Sequence, residues 1–300
     1  MLEMLTGKHL VILGGDARQL EVIKKLNELD AQLSLVGFDQ LDQHLTGTSK
    51  VDLDEIDFSR VDSIILPSSG ANEDGVVETI FSNKTIKVSK DWLAKTPDHC
   101  TIYSGISTPF LDALIKECNK ELIKLFERDD VAIYNSVPTV EGAVMIVIQN
   151  TDITIHKSNV VVLGLGRTGM SVARTFDALG AYVKVGARRP EHIARITEMG
   201  LKPFYMKDIE KHIKDVDIII NTVPAKVLSS KVLSHVPVNA LIVDLASKPG
   251  GTDFRYAEKR GIKALLTPGL PGMVAPKSAG RIIANVLSEL LLDKFSGEDE

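Results

Sequence analysis

The sequence is poor in cysteine, in basic runs and in long apolar stretches, and each shortage removes a class of protein. Cys100 and Cys118 are the only cysteines in 300 residues, so a disulfide framework is excluded and both read as buried small hydrophobes or surface thiols. Neither HxxxH nor CxxC occurs, and His9, His44, His99, His156, His192, His212 and His235 are scattered, so no metal site is expected. A GxSxG elbow is absent too. With a net charge of −5 and no Lys/Arg-rich run, a nucleic-acid partner gripped through its phosphates is not expected. The longest apolar runs, such as 143–148, fall far short of a membrane span, and MLEMLTGKHLVILGG lacks the basic, apolar and small-residue regions of a secretory signal. No membrane partner and a cytoplasmic location are therefore expected.

What the chain has is an ordinary globular composition, 44% hydrophobic and 25% charged, and a length comfortable for two domains. Its organising stretch is NVVVLGLGRTGMSVARTFDALG, residues 159–180. Val160 to Leu163 lack polar alternation, which suits a parallel strand covered on both faces. The loop Gly164-Leu165-Gly166-Arg167-Thr168-Gly169 then has the GxGxxG spacing that turns tightly, lets backbone approach a pyrophosphate and packs a helix on the strand. Val172, Ala173, Phe176 and Leu179 recur at helical spacing, and Gly180 ends the helix. A dinucleotide at the helix N-terminus is the reading; a structural glycine turn is the alternative.

Around this stretch the pattern predicts an α/β chain: two doubly wound, Rossmann-like domains with a cleft between them, joined by a connecting helix and a C-terminal helix. Residues 1–128 form the N-terminal, substrate-side domain, 129–151 the connection, 152–274 the dinucleotide domain, 275–294 a helix packing back on the first domain, and 295–300 a disordered tail. In the first domain strands are expected at 8–13, 32–36, 63–66, 85–88 and 101–103, and helices at 17–29, 75–81, 90–94 and 108–126. Residues 131–136 read as extended and 138–149 as a helix. The second domain shows six strands, at 159–164, 182–186, 203–206, 217–221, 240–244 and 262–266. The turn Gly14-Gly15-Asp16-Ala17-Arg18-Gln19 lacks the third glycine, so a small-molecule or purely structural role is favoured there.

Where the second strand of a dinucleotide fold usually carries an acid for the ribose of NAD, this chain reads Gly186-Ala187-Arg188-Arg189-Pro190. Two guanidiniums suit a 2′-phosphate, so NADP is the cofactor expected and NAD the alternative; a solvated loop before a helix would read the same. Asn221-Thr222-Val223-Pro224, Ala246 and Ser247 end strands on the cofactor side. Asp244 and Lys248, in DLASKPGG, and Glu141 are the expected catalytic groups, although Asp244 also suits a helix cap. Arg18, Ser68, Ser69, Ser104, Asn135, Lys277 and Ser278 are the expected substrate contacts; Ser278 could equally cap its helix.

The runs GLGRTGMSVARTFDALGAYVKVGARRPEH, NTVP, DLASKPGG and TPGLPGMVAPKSAG resemble the A-subunit family of bacterial dipicolinate synthases, as do VILGGDARQ, SVPTVEGA and the closing helix. The resemblance implies oxidation of a dihydro- or hydroxytetrahydro-dipicolinate from the lysine pathway to dipicolinate, in the mother cell during sporulation, with the flavoprotein-like B-subunit of dipicolinate synthase as partner. A homo-oligomer is also open. More distantly the layout looks like alanine dehydrogenase, transhydrogenase and D-2-hydroxyacid dehydrogenases. The last carry an Arg after the fifth strand and a His after the sixth, where this chain has DLASKPGG and TPGLPGM, so ordinary 2-hydroxyacid oxidation is disfavoured. Hydride transfer on the substrate dianion, with Arg18, Lys248 and Lys277 holding carboxylates and Glu141 or Asp244 as base, is the mechanism implied. A nucleotide-binding regulatory or structural component, or another NADP-dependent small-acid dehydrogenase, is the rival.

Overall fold

Strands made of unbroken β-branched runs need apolar cover on both faces, and the helices between them supply it. The computed structural model describes residues 4–42 and 47–296; His44, the first three residues and 297–300 of the expected tail lie outside them. The chain divides into two units, Met1–Val131 with Ala275–Glu300, and Ala132–Val274.

Unit 1 runs β1 (His9–Leu13), α1 (Arg18–Glu28), β2 (Gln32–Val36), β3 (Thr48–Lys50), β4 (Ser63–Ile65), β5 (Val76–Val77), β6 (Ile86–Lys87), α2 (Lys90–Leu93), β7 (Thr101–Ser104), α3 (Pro109–Glu117) and β8 (Glu121–Lys124). Its parallel sheet has the order β3-β2-β1-β4-β7-β8, while β5 and β6 form a separate antiparallel pair. Residues 129–150 make α4 (Asp129–Asn150). Unit 2 continues through β9 (Asn159–Leu163), α5 (Arg167–Ala178), β10 (Tyr182–Ala187), α6 (Pro190–Glu198), β11 (Lys202–Tyr205), α7 (Ile209–His212), β12 (Ile218–Asn221), α8 (Ser230–Leu233), β13 (Leu241–Asp244), α9 (Phe254–Lys259), β14 (Lys263–Leu266) and α10 (Leu270–Val274). Its sheet order is β11-β10-β9-β12-β13-β14. The last helix, α11 (Pro276–Ser296), shares a core with α1, where Ile283, Leu287 and Leu291 meet Val22, Ile23 and Leu26, and Arg281 Nε donates to Glu21 Oε2 at 2.9 Å.

Four local expectations are corrected. The helix expected over 108–126 stops at Glu117, because Asn119 adopts φ 51°, a left-handed terminator, and the chain then adds β8 to the sheet edge. Residues 75–81 are not helical: Val76 and Val77 pair with Ile86 and Lys87, outside the main sheet in which 85–88 was expected to lie. Nor is 131–136 extended, since α4 runs through Pro138 without a break. Proline inside a helix loses one hydrogen bond and crowds the carbonyl four residues back, and α4 carries that cost with one side packed in the unit 2 core. α4 has the length and apolar composition of a membrane span; Val140, Val144, Ile146 and Val147 pack in the unit 2 core, whereas Ile133, Tyr134, Val137 and Ile148 are exposed.

Candidate functional site

The unit 2 glycine loop is built by sterics. Gly164 has φ 97°, and a Cβ there would meet Thr222 Oγ1 at 2.6 Å. A Cβ on Gly169 would meet the Gly164 carbonyl oxygen at 2.1 Å, so only glycine lets α5 start so close to β9. Gly166 differs: no atom lies within 4 Å of its would-be Cβ, and it caps α5 with no side-chain acceptor. The positive, amide end of the α5 dipole is thus left facing open space, as an anion requires.

That space is a cavity of about 290 Å³ lined by Gly164, Leu165 and Gly166, by Gly186 to Arg189, by His192 and Met206, and by Thr222 to Ala225 and Val227. Arg188 and Arg189 therefore share one cavity with the open glycine. Arg189 Nε lies 3.4 Å from Glu191 Oε1, but both side chains are largely exposed and such pairs contribute only about 0–1 kcal/mol, so the guanidinium is free to exchange partners. His192 and Met206 are lining residues that the motif does not announce; the signal for His192 is its place in the first turn after the arginine pair. The residues present fit a nicotinamide dinucleotide: an uncapped helix start and a glycine with room beside it, with two cations in the same hollow.

The loops after β12 and β13 are organised by Asp244, which is fully buried. Its Oδ1 accepts from Asn221 Nδ2 at 2.9 Å and Ala246 N at 3.1 Å, and its Oδ2 from Gly251 N at 2.8 Å and Thr252 Oγ1 at 2.6 Å. These four donors fill the roughly four acceptor positions of a carboxylate. Asp244 is thus a positioning residue rather than the expected base. Asn221 is turned into the same network, and its Nδ2 also donates to Val223 O, so its side chain is withdrawn from the cavity that Thr222, Val223 and Pro224 line. Ala246 is buried, whereas Ser247 and Lys248 are exposed on the loop that Asp244 holds. The role of Thr252 is not legible in the sequence, because the eight-residue return that joins it to Asp244 has no pattern of its own.

Glu141, the other expected base, stands elsewhere in unit 2. It lies in a groove with Val137, Val140, Ser171, Arg174, Thr175 and Ala178, along the later turns of α5 and apart from the glycine-loop cavity. Asn135 stands on α4 with its Oδ1 buried and unpartnered among the described residues.

In unit 1 the ends of β1, β4 and β7 lie side by side. A Cβ on Gly15 would touch Pro67, and one on Gly105 would overlap Ser68. Ser104 Oγ donates to Ile106 O at 2.5 Å and Ser68 is buried, leaving Ser69 the exposed hydroxyl of this group. Arg18 grips Asp16 through Nε and Nη2, the latter at 2.6 Å, and its side chain is only 14% exposed. Burial opposes ionisation of Asp16, yet the hydrogen bonds and charge of Arg18 outweigh it and hold that carboxyl below its usual range. The fork expected to hold substrate is therefore occupied by Asp16. Lys277 and Ser278 are exposed on the first turn of α11, close to this group, since a Cβ on Gly280 would meet Arg18 O at 2.5 Å. The Gly14-Gly15 turn is closed by its own chain: Gly15 N donates to Glu78 O, and Ile80 N donates to Gly15 O. Residues 78–80 thus cover the backbone that a phosphate would need, which makes the turn structural.

Residues 9–126 match the family model of the N-terminal domain of the dipicolinate synthase A-subunit. Over 290 residues the chain is 60% identical to the dipicolinate synthase A-subunit of Bacillus subtilis (strain 168), covering 97% of this chain and 98% of that protein. The chain belongs to the dipicolinate synthase A-subunit family. Two crystal structures of this family agree with the fold. The A-subunit from Bacillus halodurans superposes with a TM-score of 0.95 at 61% identity, covering 96% of this chain and 99% of that one. Its counterpart from Bacillus subtilis gives a TM-score of 0.96 at 58% identity, covering 99% and 100%. Residues 135–294 also match the C-terminal domain model of alanine dehydrogenase/PNT. Membership of the A-subunit family and a dehydrogenase-type dinucleotide domain thus meet in one chain.

Proposed function

We propose that the chain is the NADP-dependent oxidoreductase component of a dipicolinate synthase, oxidising dihydrodipicolinate, or hydroxytetrahydrodipicolinate after loss of water, to dipicolinate, with a hydride passing to NADP⁺ and a proton to a base. The observation that carries the cofactor half is the single unit 2 cavity lined both by the open Gly166 and by Arg188 and Arg189. Gly164 and Gly169 set the loop, the α5 start meets the pyrophosphate, and the two arginines meet the 2′-phosphate. When bound, the nicotinamide supplies the hydride acceptor. The substrate half rests on the family, whose relatives bear the name of the dipicolinate synthase A-subunit. The flavoprotein-like B-subunit of the synthase is the partner in this reading.

A dicarboxylate needs cations that are not already paired. Lys248 is exposed on the unit 2 loop beside Ser247, and Lys277 is exposed in unit 1 beside Ser278; either ammonium can hold a carboxylate. Arg18 would first have to leave Asp16.

A second reading is favoured by one observation: Asp244 already accepts four hydrogen bonds, and Glu141 lines a groove other than the glycine-loop cavity. In that reading this chain binds nucleotide and its partner removes the proton. Incubating the purified chain with the dihydro substrate and NADP⁺, with and without the B-subunit, separates the two. Formation of NADPH and dipicolinate by this chain alone supports catalysis here; turnover only with the partner supports the second reading, and turnover that never depends on NADP contradicts both.

A further inference from the structure

One wall of the unit 2 cavity is not accounted for by the glycine motif. Arg188, Arg189 and His192 line it together, and no acid is among the lining residues. Arg189 caps α6 and His192 stands three residues on, so the two fall on one side of the first turn, where His192 N donates to Arg189 O at 3.1 Å. The His192 side chain is half-buried, and its ring makes no hydrogen bond, ion pair or ring contact among the described residues. Charged groups on the surrounding elements are engaged elsewhere: Glu191 with Arg189, Arg195 with Glu198, Lys207 over the Tyr205 ring, Asp208 with Lys211, and Lys226 with Asp253. The imidazole is left facing the cavity beside two guanidiniums.

We infer that His192 is the third contact of the 2′-phosphate, and that its protonation makes the preference for NADP over NAD depend on pH. This rests on the NADP reading of the cavity and adds to it a residue and a dependence that the arginine pair cannot supply. Guanidiniums keep their charge throughout the physiological range, so two arginines alone give a preference that changes only with the phosphate itself. A histidine ordinarily titrates at about pH 6.5, and a phosphate monoester loses its second proton at about pH 6. An imidazolium against a phosphate dianion makes a charge-assisted hydrogen bond, so the complex keeps a proton on the ring to higher pH than a free imidazole does. From about pH 6.5 to about pH 8.5 binding therefore takes up a proton, and NADPH affinity falls as pH rises. NADH has no 2′-phosphate, and its affinity stays level over the same range.

Binding calorimetry on the full chain, with NADPH and with NADH at about pH 6.5 and about pH 8.5, tests it on the wild type, His192→Gln and His192→Lys. In the wild type the ratio of NADPH to NADH affinity should fall about five- to tenfold between the lower and the higher pH. Repeating the NADPH titration at about pH 7.5 in buffers of different ionisation enthalpy should show uptake of a fraction of a proton that NADH binding lacks. His192→Gln should remove both the decline and the uptake while keeping the part of the preference that Arg188 and Arg189 supply. His192→Lys, charged throughout, should hold the higher ratio at both pH values. Should His192→Gln fail to fold, proton uptake by the wild type and its loss in His192→Lys decide. An NADPH preference that does not change with pH, or a pH dependence that survives His192→Gln, would overturn the inference and leave the arginine reading standing. A wild type with no preference at either pH would overturn both.

Discussion

Glycines that look alike in the motif do different work, and this is testable one residue at a time. Gly169→Ala drives a methyl into the Gly164 carbonyl at 2.1 Å, a contact between two backbones that cannot relax cheaply. It should cost about 1–3 kcal/mol in chemical denaturation as well as nucleotide binding. Gly166→Ala meets nothing in the protein, so it should cost no more than about 1 kcal/mol while still weakening nucleotide binding, because the methyl enters the space reserved for the phosphates. Equal stability losses for the two would reject this division of labour. Among the thiols, burial pushes Cys100 up to about 11. At about pH 8 that leaves on the order of one thiolate in a thousand, so alkylation of the native chain should spare Cys100 and label it only on unfolding. The spacing of the glycines is legible in the sequence; which of them faces the protein and which faces space is not, since that depends on Thr222 and Gly164 meeting across strands.

Among the elements, strands are easier to read than the joints between them. Unbroken runs such as Val160 to Leu163 and Ile218 to Ile220 announce buried parallel strands, and the structure has them within a residue of the expected limits. Sequence and structure part where a local rule loses to a neighbour. Asn119 is a helix stop only through its left-handed backbone, which the apolar pattern hides, so β8 reads as part of the preceding helix. Pro138 has the look of a helix start, although α4 carries it internally because one side of that helix is fixed in the unit 2 core. Asp244 is the element-scale case with an energetic consequence. Its carboxylate closes the β13 loop onto Thr252 and Gly251, and removing it strands buried donors that each cost about 1–3 kcal/mol unpaired. Asp244→Ala should therefore lower stability by about 3 kcal/mol or more in denaturant titration, and Asp244→Asn by less. A neutral Asp244→Ala would mean that the loop is held by something else.

At the scale of the molecule, both sheets share the strand order of a dinucleotide fold once the β5 and β6 pair is set aside, yet only one of them offers a free glycine turn. In unit 1 the amide of Gly15 is taken up by Glu78, and residues 78–80 lie over the turn. In unit 2 the corresponding turn opens on the cavity that holds Arg188 and Arg189. Each chain should therefore bind one dinucleotide, in unit 2. The missing third glycine of unit 1 is visible in the sequence, but the segment that covers the turn has a helical pattern, so the reason for the difference emerges only from the fold. Calorimetric titration of the full chain and of the Arg188→Gln/Arg189→Gln double variant, with NADPH and with NADH, decides whether the unit 2 cavity is an NADP site. One site per chain is expected, with NADPH bound about ten- to a hundredfold more tightly than NADH and that preference lost in the double variant while NADH binding changes little. Equal affinities in the wild type, or a double variant that loses NADPH and NADH alike, would contradict it.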